Sequence, residues 1–488
     1  MRHMFINGEF VASSNGGAFA VYNPATEEVV DEVPNADLAD VRRAIAAAGT
    51  ASRAWRYTAA GERCEMLHEI AHQLRANSEV LATLLTQEGG KPLIENRDEI
   101  EWCAACFSYY AEMGRNSRGR VIPSVEPTQL AMVLKEPYGV VACIVPWNYP
   151  LLLLSWKVAP ALAAGNTVVL KPSEMTPLST LLFVELCCTH LPAGVLNVVT
   201  GFADVGRELV VSPGTHLIAF TGSFATGREI ARLAAERVKK THLELGGKDA
   251  FIVTEDADLD VAVPAVAWAG LLNAGQVCTS TERVYVHASV AKRFTDQLVD
   301  FVKTLRLGNG MEPTTDIGPL MGDRYRAKIE DQVDEARRKG ATILTGGRRP
   351  PHLARGYFYE PTVLNNVTHD FRIMREETFG PTIPIMTYSK FEEALMLAND
   401  SDYGLGANLY TTDPVKVKQF YEEVKAGTLW VNDPLTDNDA GPFGGMKFSG
   451  GARELGEEGL EEFLETKHVH WEFEVAKKPW WYPYNKDA

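Results

Sequence analysis

The sequence predicts an α/β protein with two parallel-sheet units and a small β element beside them. Three observations carry this. Short β-branched runs alternate with amphipathic stretches from Gly139 to Gly247. A second alternation of the same kind runs from Ala250 to about Gly444. Two further segments fit neither unit. Regular strand–helix alternation implies parallel strands joined by crossover helices.

Before the first alternation, the opening residues read as short strands and turns, with Asn7-Gly8 and Asn15-Gly16-Gly17 as turn signals. Helical periodicity follows over Asp37–Trp55, Ala60–Gln87 and Glu95–Arg115. In the first unit, Gly139–Val145, Thr167–Leu170, Val195–Thr200, Leu217–Thr221 and His242–Leu245 read as strands. Ser155–Ala164, Pro177–His190, Asp204–Val211 and Thr226–Lys239 read as helices. In the second, strands near Phe251–Thr254, Val284–His287, Thr342–Thr345 and Thr428–Val431 are separated by helices such as Asp258–Leu272 and Ala291–Leu305. Ligands of such sheets sit beyond the carboxyl ends of the strands.

Of the segments left over, Val121–Pro137 has the mixed polarity of a projecting hairpin. Lys467–Val475 alternates strictly, with Val469, Trp471, Phe473 and Val475 on one side and His468, His470, Glu472 and Glu474 on the other. That is the pattern of a half-buried strand. An exposed strand edge invites pairing with another chain, and the tail Pro479-Trp480-Trp481-Tyr482-Pro483-Tyr484 is too aromatic to leave in water. A homo-oligomer, dimer or tetramer, accounts for all three; a tail folded onto its own subunit is the plainer alternative.

Composition narrows the function. Hydrophobic residues make up 45% and charged residues 23%, ordinary for a globular chain. The net charge of −16 repels phosphate backbones and argues against nucleic-acid binding. No apolar stretch approaches the ~20 residues of a membrane span, and the N-terminus lacks a secretory pattern. The seven cysteines are odd in number and irregular in spacing, which suits a reducing cytoplasm. Cys103 and Cys106 form a C-x-x-C, but without a second pair or His cluster it reads as two small residues on a buried helix, and no metal is expected.

Five segments could carry chemistry. Gly275-Gln276-Val277-Cys278-Thr279 lies between a helix and a strand, among residues that suit a loop at a cleft edge. Such a loop can expose a thiol, and its N–H groups could stabilise a thiolate and an oxyanion; a buried small hydrophobe is the ordinary alternative. In Leu243-Glu244-Leu245-Gly246-Gly247-Lys248, Glu244 points away from its leucine neighbours, and the double glycine allows close backbone approach. Asn148, in Pro146-Trp147-Asn148-Tyr149, could donate to a developing oxyanion or could simply hold a turn. Lys171 and Glu174, ending a strand, could bond ribose hydroxyls or form a surface ion pair. Phe220-Thr221-Gly222-Ser223 opens a helix, where free N–H groups bind phosphate. Its G-x-x-x-x-G spacing departs from the G-x-G-x-x-G fingerprint.

Together these segments resemble the aldehyde dehydrogenase superfamily, over essentially the whole chain. Pro146-Trp147-Asn148, Lys171-Pro172-Ser173-Glu174, Phe220-Thr221-Gly222-Ser223, Glu244-Leu245-Gly246-Gly247-Lys248, Gly275-Gln276-Val277-Cys278, Glu376-Glu377-Thr378-Phe379-Gly380-Pro381 and Pro442-Phe443-Gly444-Gly445 occur in the family's order. The resemblance implies an aldehyde-dehydrogenase-like α/β fold. Its Rossmann-type dinucleotide-binding domain would take 1–118 and 138–246, its catalytic domain 247–445, and its oligomerisation hairpin and C-terminal strand 119–137 and 446–488. It implies Cys278 as nucleophile, Glu244 as general base, and Asn148 with the Cys278 N–H as oxyanion hole. Trp147, Lys171, Ser173, Glu174, Gly222, Ser223, Gly246, Glu377 and Phe379 would hold the cofactor, with Lys171 and Glu174 at the adenosine ribose and Glu377 at the nicotinamide ribose. Tyr149, Trp156 and Phe443 match positions lining the family's substrate tunnel, and Tyr149 and Trp156 are similar to those of betaine aldehyde dehydrogenases. An aromatic pocket can hold a quaternary ammonium; a generic apolar tunnel is the broader expectation. Where Ala452 stands, the family usually has Gly.

The implied reaction is NAD-dependent oxidation of a small aldehyde to a carboxylate, through a Cys278 thiohemiacetal and a thioester hydrolysed by water. Family members that pass the acyl group to coenzyme A generally lack the base at the Glu244 position. Glu174 near the 2′-hydroxyl favours NAD over NADP. A cofactor-independent thiol hydrolase or acyltransferase built on Cys278 is the rival reading.

Overall fold

A computed structural model describes residues 1–484. Two seven-stranded sheets dominate it. The first runs in the order Lys240–Glu244, Leu217–Thr221, Val140–Ile144, Thr167–Lys171, Leu196–Val198, Met4–Ile6, Glu9–Val11. Its first five strands are mutually parallel. Its three middle strands are buried at every residue, which is why they read as unbroken apolar runs. The N-terminal hairpin adds the two antiparallel edge strands, turned by Asn7 and Gly8 at positive φ.

The second sheet is ordered Thr342–Thr345, Thr362–Asn365, Thr382–Tyr388, Thr281–His287, Asp249–Val253, Gly406–Tyr410, Thr428–Val431. Only its first strand is antiparallel. The chain passes from one sheet to the other through Leu245-Gly246-Gly247-Lys248.

The hairpin expected over Val121–Pro137 is present as Arg120–Ile122 and Gln129–Pro137, and Leu464–Glu472 pairs antiparallel with its long arm from Leu464 opposite Pro137 to Glu472 opposite Gln129. The C-terminal strand is therefore shifted from the expected Lys467–Val475, and Phe473 and Val475 lie beyond its end. Nor is it half-buried within one chain. Trp471 is 55% and Val475 100% exposed, because the alternating face meets no second layer here. The aromatic tail, including Trp480 and Trp481, is exposed as well.

Three helix expectations are corrected. Ala60–Gln87 is two helices, Ala60–Ala76 and Ser78–Gly89, divided at Asn77, whose side chain donates to the Gln73 carbonyl at 2.8 Å. The helix expected at Ser155 begins at Pro150, where proline's missing N–H costs nothing. The helix expected from Thr226 to Lys239 spans Phe224–Ala235, because Ser223 caps it by accepting from the Thr226 N–H at 3.3 Å. Cys103 and Cys106 are fully buried on the helix Leu93–Asn116. Among the described residues, no helix is long and apolar enough to cross a membrane.

Candidate active site

Four adjacent parallel strands of the first sheet end at residues singled out from sequence: Ile144 before Pro146-Trp147-Asn148, Lys171, Thr221 before Gly222, and Glu244. Parallel packing brings these carboxyl ends side by side, where ligands of such sheets bind.

A cleft of about 610 Å³ opens there. Trp147, Lys171, Ser173, Glu174, Gly222 and Ser223 line one part, and Gly246, Glu377 and Phe379 another. Asn148 and Cys278 stand at its inner end. A second cavity of about 230 Å³ lies beyond, lined by Tyr149, Trp156 and Phe443. Trp156 and Phe443 are in contact, with ring centroids 4.9 Å apart. Asn148, Leu153 and Cys278 line both cavities, so the sulfur sits where they meet.

The loop carrying Cys278 is held in an uncommon conformation. Asn273, Ala274 and Gly275 all have positive φ, and a Cβ on Gly275 would collide with the Gly380 carbonyl. Gln276 ties the loop down: its amide nitrogen donates to the Asn273 carbonyl at 2.9 Å, and its oxygen accepts from the Met321 N–H at 2.8 Å. The Asn148 amide donates to the Gln276 carbonyl at 3.0 Å, and the Asn273 amide donates to the Asn148 carbonyl at 3.2 Å. The Cys278 loop and the Asn148 segment are thus one hydrogen-bonded unit. Glu99 supports it, accepting from the Leu151 and Leu152 N–H groups at 2.9 and 3.1 Å and pairing with buried Lys91.

The double glycine lets three parts converge. A Cβ on Gly246 would strike the Glu377 carboxylate, and one on Gly247 would sit 2.5 Å from the Cys278 carbonyl. Burial, and then Glu282, push the Glu377 carboxyl up to about 7. The turn that presents Glu377 and Phe379 depends on buried Glu282. Its carboxylate accepts from the Thr378 and Phe379 N–H groups, each at 2.7 Å, and pairs with the Lys248 ammonium at 2.5 Å. Phe379 itself has φ of 58°, and its ring meets Trp147 edge-on at 5.5 Å.

Two site residues behave differently from expectation. Glu244 lines neither cavity. It is buried, neither carboxyl oxygen has a partner, and a Cβ on Gly444 would lie 2.9 Å from its Oε1. Burial, then Glu454, raise its carboxyl well above the ordinary range, which favours its protonated form. Cys278 was expected in surroundings that favour a thiolate. Burial raises its thiol well above the usual value instead, with Asp249, Asp437 and Glu244 adding to the effect, because carboxylates oppose a second negative charge.

Sequence reasoning passed over Gln276, Glu282, Lys248 and Glu99 as positioning groups. The first and third stood inside quoted motifs, but their partners are remote in sequence. It also missed Trp102, Trp268, Asp437 and Asp439 in the inner cavity. Ala452, the departure from the family pattern, lacks the positive φ of Gly444 and Gly450 nearby, so its methyl group causes no backbone strain.

The large cleft suits a dinucleotide. Val210, Ile230 and Leu233 give it an apolar slot, and Lys171 and Glu174 both line it. Burial lowers the Lys171 ammonium, and Glu174 pulls it back upward. The helix Phe224–Ala235 starts at the cleft, so its unpaired first-turn N–H groups and dipole favour a phosphate. A cofactor-independent hydrolase has no use for this slot and is not favoured.

Comparison with known proteins agrees with this geometry. A family model described as the aldehyde dehydrogenase family matches residues 10–469. The betaine aldehyde dehydrogenase of Bacillus subtilis (strain 168) is 41% identical over 483 residues, covering 98% of this chain and 99% of that protein. The peroxisomal aminoaldehyde dehydrogenase 2 of Pisum sativum is 40% identical, covering 99% and 97%. A crystal structure of betaine aldehyde dehydrogenase from Staphylococcus aureus in complex with NAD+ superposes with a TM-score of 0.96 at 39% identity, covering 99% of this chain and 97% of that one.

Proposed function

We propose, from the premise that this chain belongs to the aldehyde dehydrogenase family and oxidises aldehydes with NAD, a division of labour for its residues. The observation that carries it is the position of Cys278 and Asn148 at the junction of the two cavities.

In this reading the large cleft holds NAD. Lys171 and Glu174 take the adenosine ribose, and Trp147, Ser173, Gly222 and Ser223 border the pyrophosphate. Gly246, Glu377 and Phe379 border the nicotinamide end. Bound NAD supplies the acceptor for the hydride that leaves the substrate carbon. Glu174 places a carboxylate where a 2′-phosphate would sit, which favours NAD over NADP. We assign 1–118 and 138–246 to dinucleotide binding, 247–445 to catalysis, and 119–137 with 446–488 to oligomerisation. The free outer edge and exposed aromatic residues of Leu464–Glu472 support a homodimer or homotetramer, and the unpaired cysteines suit a cytoplasmic setting.

The Cys278 sulfur adds to the aldehyde carbon as its S–H proton passes to solvent water in the open cleft, leaving an anionic thiohemiacetal. Asn148 has two amide hydrogens. One is committed to Gln276, and the other is available to the oxyanion beside the Cys278 N–H. After oxidation a thioester on Cys278 remains. Glu244 takes a proton from water as the oxygen attacks the thioester carbon and the C–S bond breaks. The carboxyl is raised and unpartnered, so it must turn toward water and ionise before it can act.

The inner cavity points to the substrate class. Tyr149, Trp156 and Phe443 are joined there by Asp437 and Asp439. Aromatic faces and carboxylates both attract a cation, so aldehydes carrying an ammonium group fit better than aldehydes carrying a second carboxylate. The test is NADH formation over a panel of ammonium-bearing, neutral and carboxylate-bearing aldehydes ranked by kcat/KM. Highest values for the carboxylate-bearing members would refute the substrate class. Absence of NADH with every aldehyde would refute the assigned site.

A further inference from the structure

Away from both cavities, three side chains of metal-ligand type converge between two packed helices. Cys64 and His68 stand four residues apart on the helix Ala60–Ala76, so they share one face, a turn apart. Glu112 comes from the helix Leu93–Asn116, which packs beside it. His68 Nε2 is 2.8 Å from Glu112 Oε1, and Cys64 Sγ is 3.8 Å from the same oxygen. Sulfur, ring nitrogen and carboxylate oxygen all lie within 4.8 Å of one another. None of the three residues lines the large cleft or the inner cavity. The group sits at the border of core and solvent. Cys64 is buried, whereas the His68 and Glu112 side chains are 41% and 54% exposed. An ion can therefore arrive from solvent while the sulfur holds it from the core side.

The donor set and its spacing fit zinc. Zinc takes thiolate sulfur at ~2.3 Å and imidazole nitrogen or carboxylate oxygen at ~2.0–2.2 Å. A tetrahedral ion with those bonds holds its ligand atoms ~3.3–3.6 Å apart. The observed separations of 3.8 and 2.8 Å straddle that range, so side-chain shifts of about 1 Å complete the triangle. Thiolate with imidazole favours zinc over magnesium or calcium, which prefer oxygen ligands. The charges point the same way. His68, and behind it Arg115, hold the Glu112 carboxyl below its usual range. Burial raises the Cys64 thiol, and Arg115 draws it back down. A divalent ion acts more strongly than Arg115, since a coordinating thiol is deprotonated outright. Arg115 is 56% exposed and 3.7 Å from Glu112 Oε2, so it can swing aside into solvent.

We propose that Cys64, His68 and Glu112 form a zinc site that clamps the two helices together, with water in the fourth position. On binding, the S–H bond of Cys64 breaks as the sulfur–zinc bond forms. The thiol proton passes to solvent, and no electrons change hands. The Glu112 oxygen exchanges its hydrogen bond with His68 for the ion. The helix Leu93–Asn116 also carries Glu99, which braces the Asn148 segment, and Trp102, which lines the inner cavity. The clamp thus ties that wall of the cavity to its neighbouring helix. The site does not depend on Cys278 being the nucleophile. No sequence motif announces it, because Glu112 lies 44 residues from His68.

The experiment titrates Co2+, a spectroscopic stand-in for zinc, into the full-length C278S protein in a thiol-free buffer, so that the active-site sulfur cannot compete. One equivalent per chain is expected to bind with a thiolate-to-cobalt charge-transfer band in the near ultraviolet. Zn2+ should displace it and raise the Tm, because an ion that binds only the folded chain stabilises it. Adding C64S to that background should abolish both the band and the Tm rise. H68Q and E112Q, at exposed positions where folding is not at stake, should each weaken Co2+ binding at least about tenfold. Absence of the band in C278S, or a band that survives C64S, would overturn the site. So would binding unchanged in both H68Q and E112Q, which would show a lone thiol in place of three ligands.

Discussion

The amide of Asn148 donates to the main-chain carbonyl of Gln276 at 3.0 Å, two residues before Cys278. This bond joins the end of a first-sheet strand to the loop of the second unit, so the proposed oxyanion donor and the proposed nucleophile are held as one body. Removing one such donor typically costs ~2.7–4 kcal/mol of transition-state stabilisation. Asn148→Ala should therefore lower kcat by about 100- to 1,000-fold with little change in NAD affinity, measured by NADH formation and by quenching of Trp fluorescence.

Cys278→Ser should abolish NADH production while leaving NAD binding intact. In the unliganded protein the raised thiol also predicts slow alkylation near pH 7. The iodoacetamide rate at Cys278, followed by mass spectrometry, should climb steadily as pH passes the ordinary thiol range. A plateau already reached at pH 7 would show a thiolate and contradict the burial effect.

Glu244 has a stability signature as well. Its folded-state pKa is raised, so above the unfolded carboxyl value of ~4.3 the unfolded chain ionises while the folded chain does not. The native state therefore loses stability as pH rises from there toward the folded pKa. Glu244→Gln removes that penalty. Its Tm should match the wild type near pH 4 and exceed it increasingly toward pH 8, even though turnover is lost. A Tm difference independent of pH would argue against a neutral buried acid.

Glu282 holds the Glu377–Phe379 turn through two N–H bonds and pairs with buried Lys248. Breaking a buried pair by deleting one partner costs ~3–5 kcal/mol. Glu282→Ala should lower the denaturant midpoint accordingly and weaken NAD binding. Glu377→Gln, which leaves that support intact, should weaken NAD binding with little loss of stability.

Asp437 tests the substrate class. The residue is exposed to solvent, yet the protein atoms packed around its carboxyl, and then Asp439, push it up to about 7, so it ionises fully only above neutrality. The preference for an ammonium-bearing aldehyde over a neutral one of equal length should grow as pH rises through 7. Asp437→Asn should flatten that trend and cost ~0.2–1 kcal/mol, about two- to fivefold in kcat/KM, the scale of a solvent-screened ion pair. Paired kcat/KM measurements from pH 6 to pH 8 decide it.

The two parallel sheets were legible because their central strands are buried on both faces and punctuated by glycine and proline. Errors fell where one residue decides a boundary. Asn77 breaks a periodic stretch into two helices, and Ser223 sets a start at Phe224, two residues ahead of Thr226. The C-terminal strand was misplaced because its alternation describes a surface, while its register comes from pairing with Gln129–Pro137.

The sequence by itself determined the fold class, the kinds of reactive group and the family they resemble, since these depend on residue type, order and local periodicity. Tertiary structure alone decided that Cys278 and Asn148 share a junction between two cavities, that Glu244 waits behind it as an unpartnered acid, and that Asp437 and Asp439 join the aromatic wall. Each of those facts is a distance or a burial between remote residues. Electrostatic and hydrogen-bond energies depend on such distances and on the surrounding dielectric, neither of which is written in the order of residues along a chain.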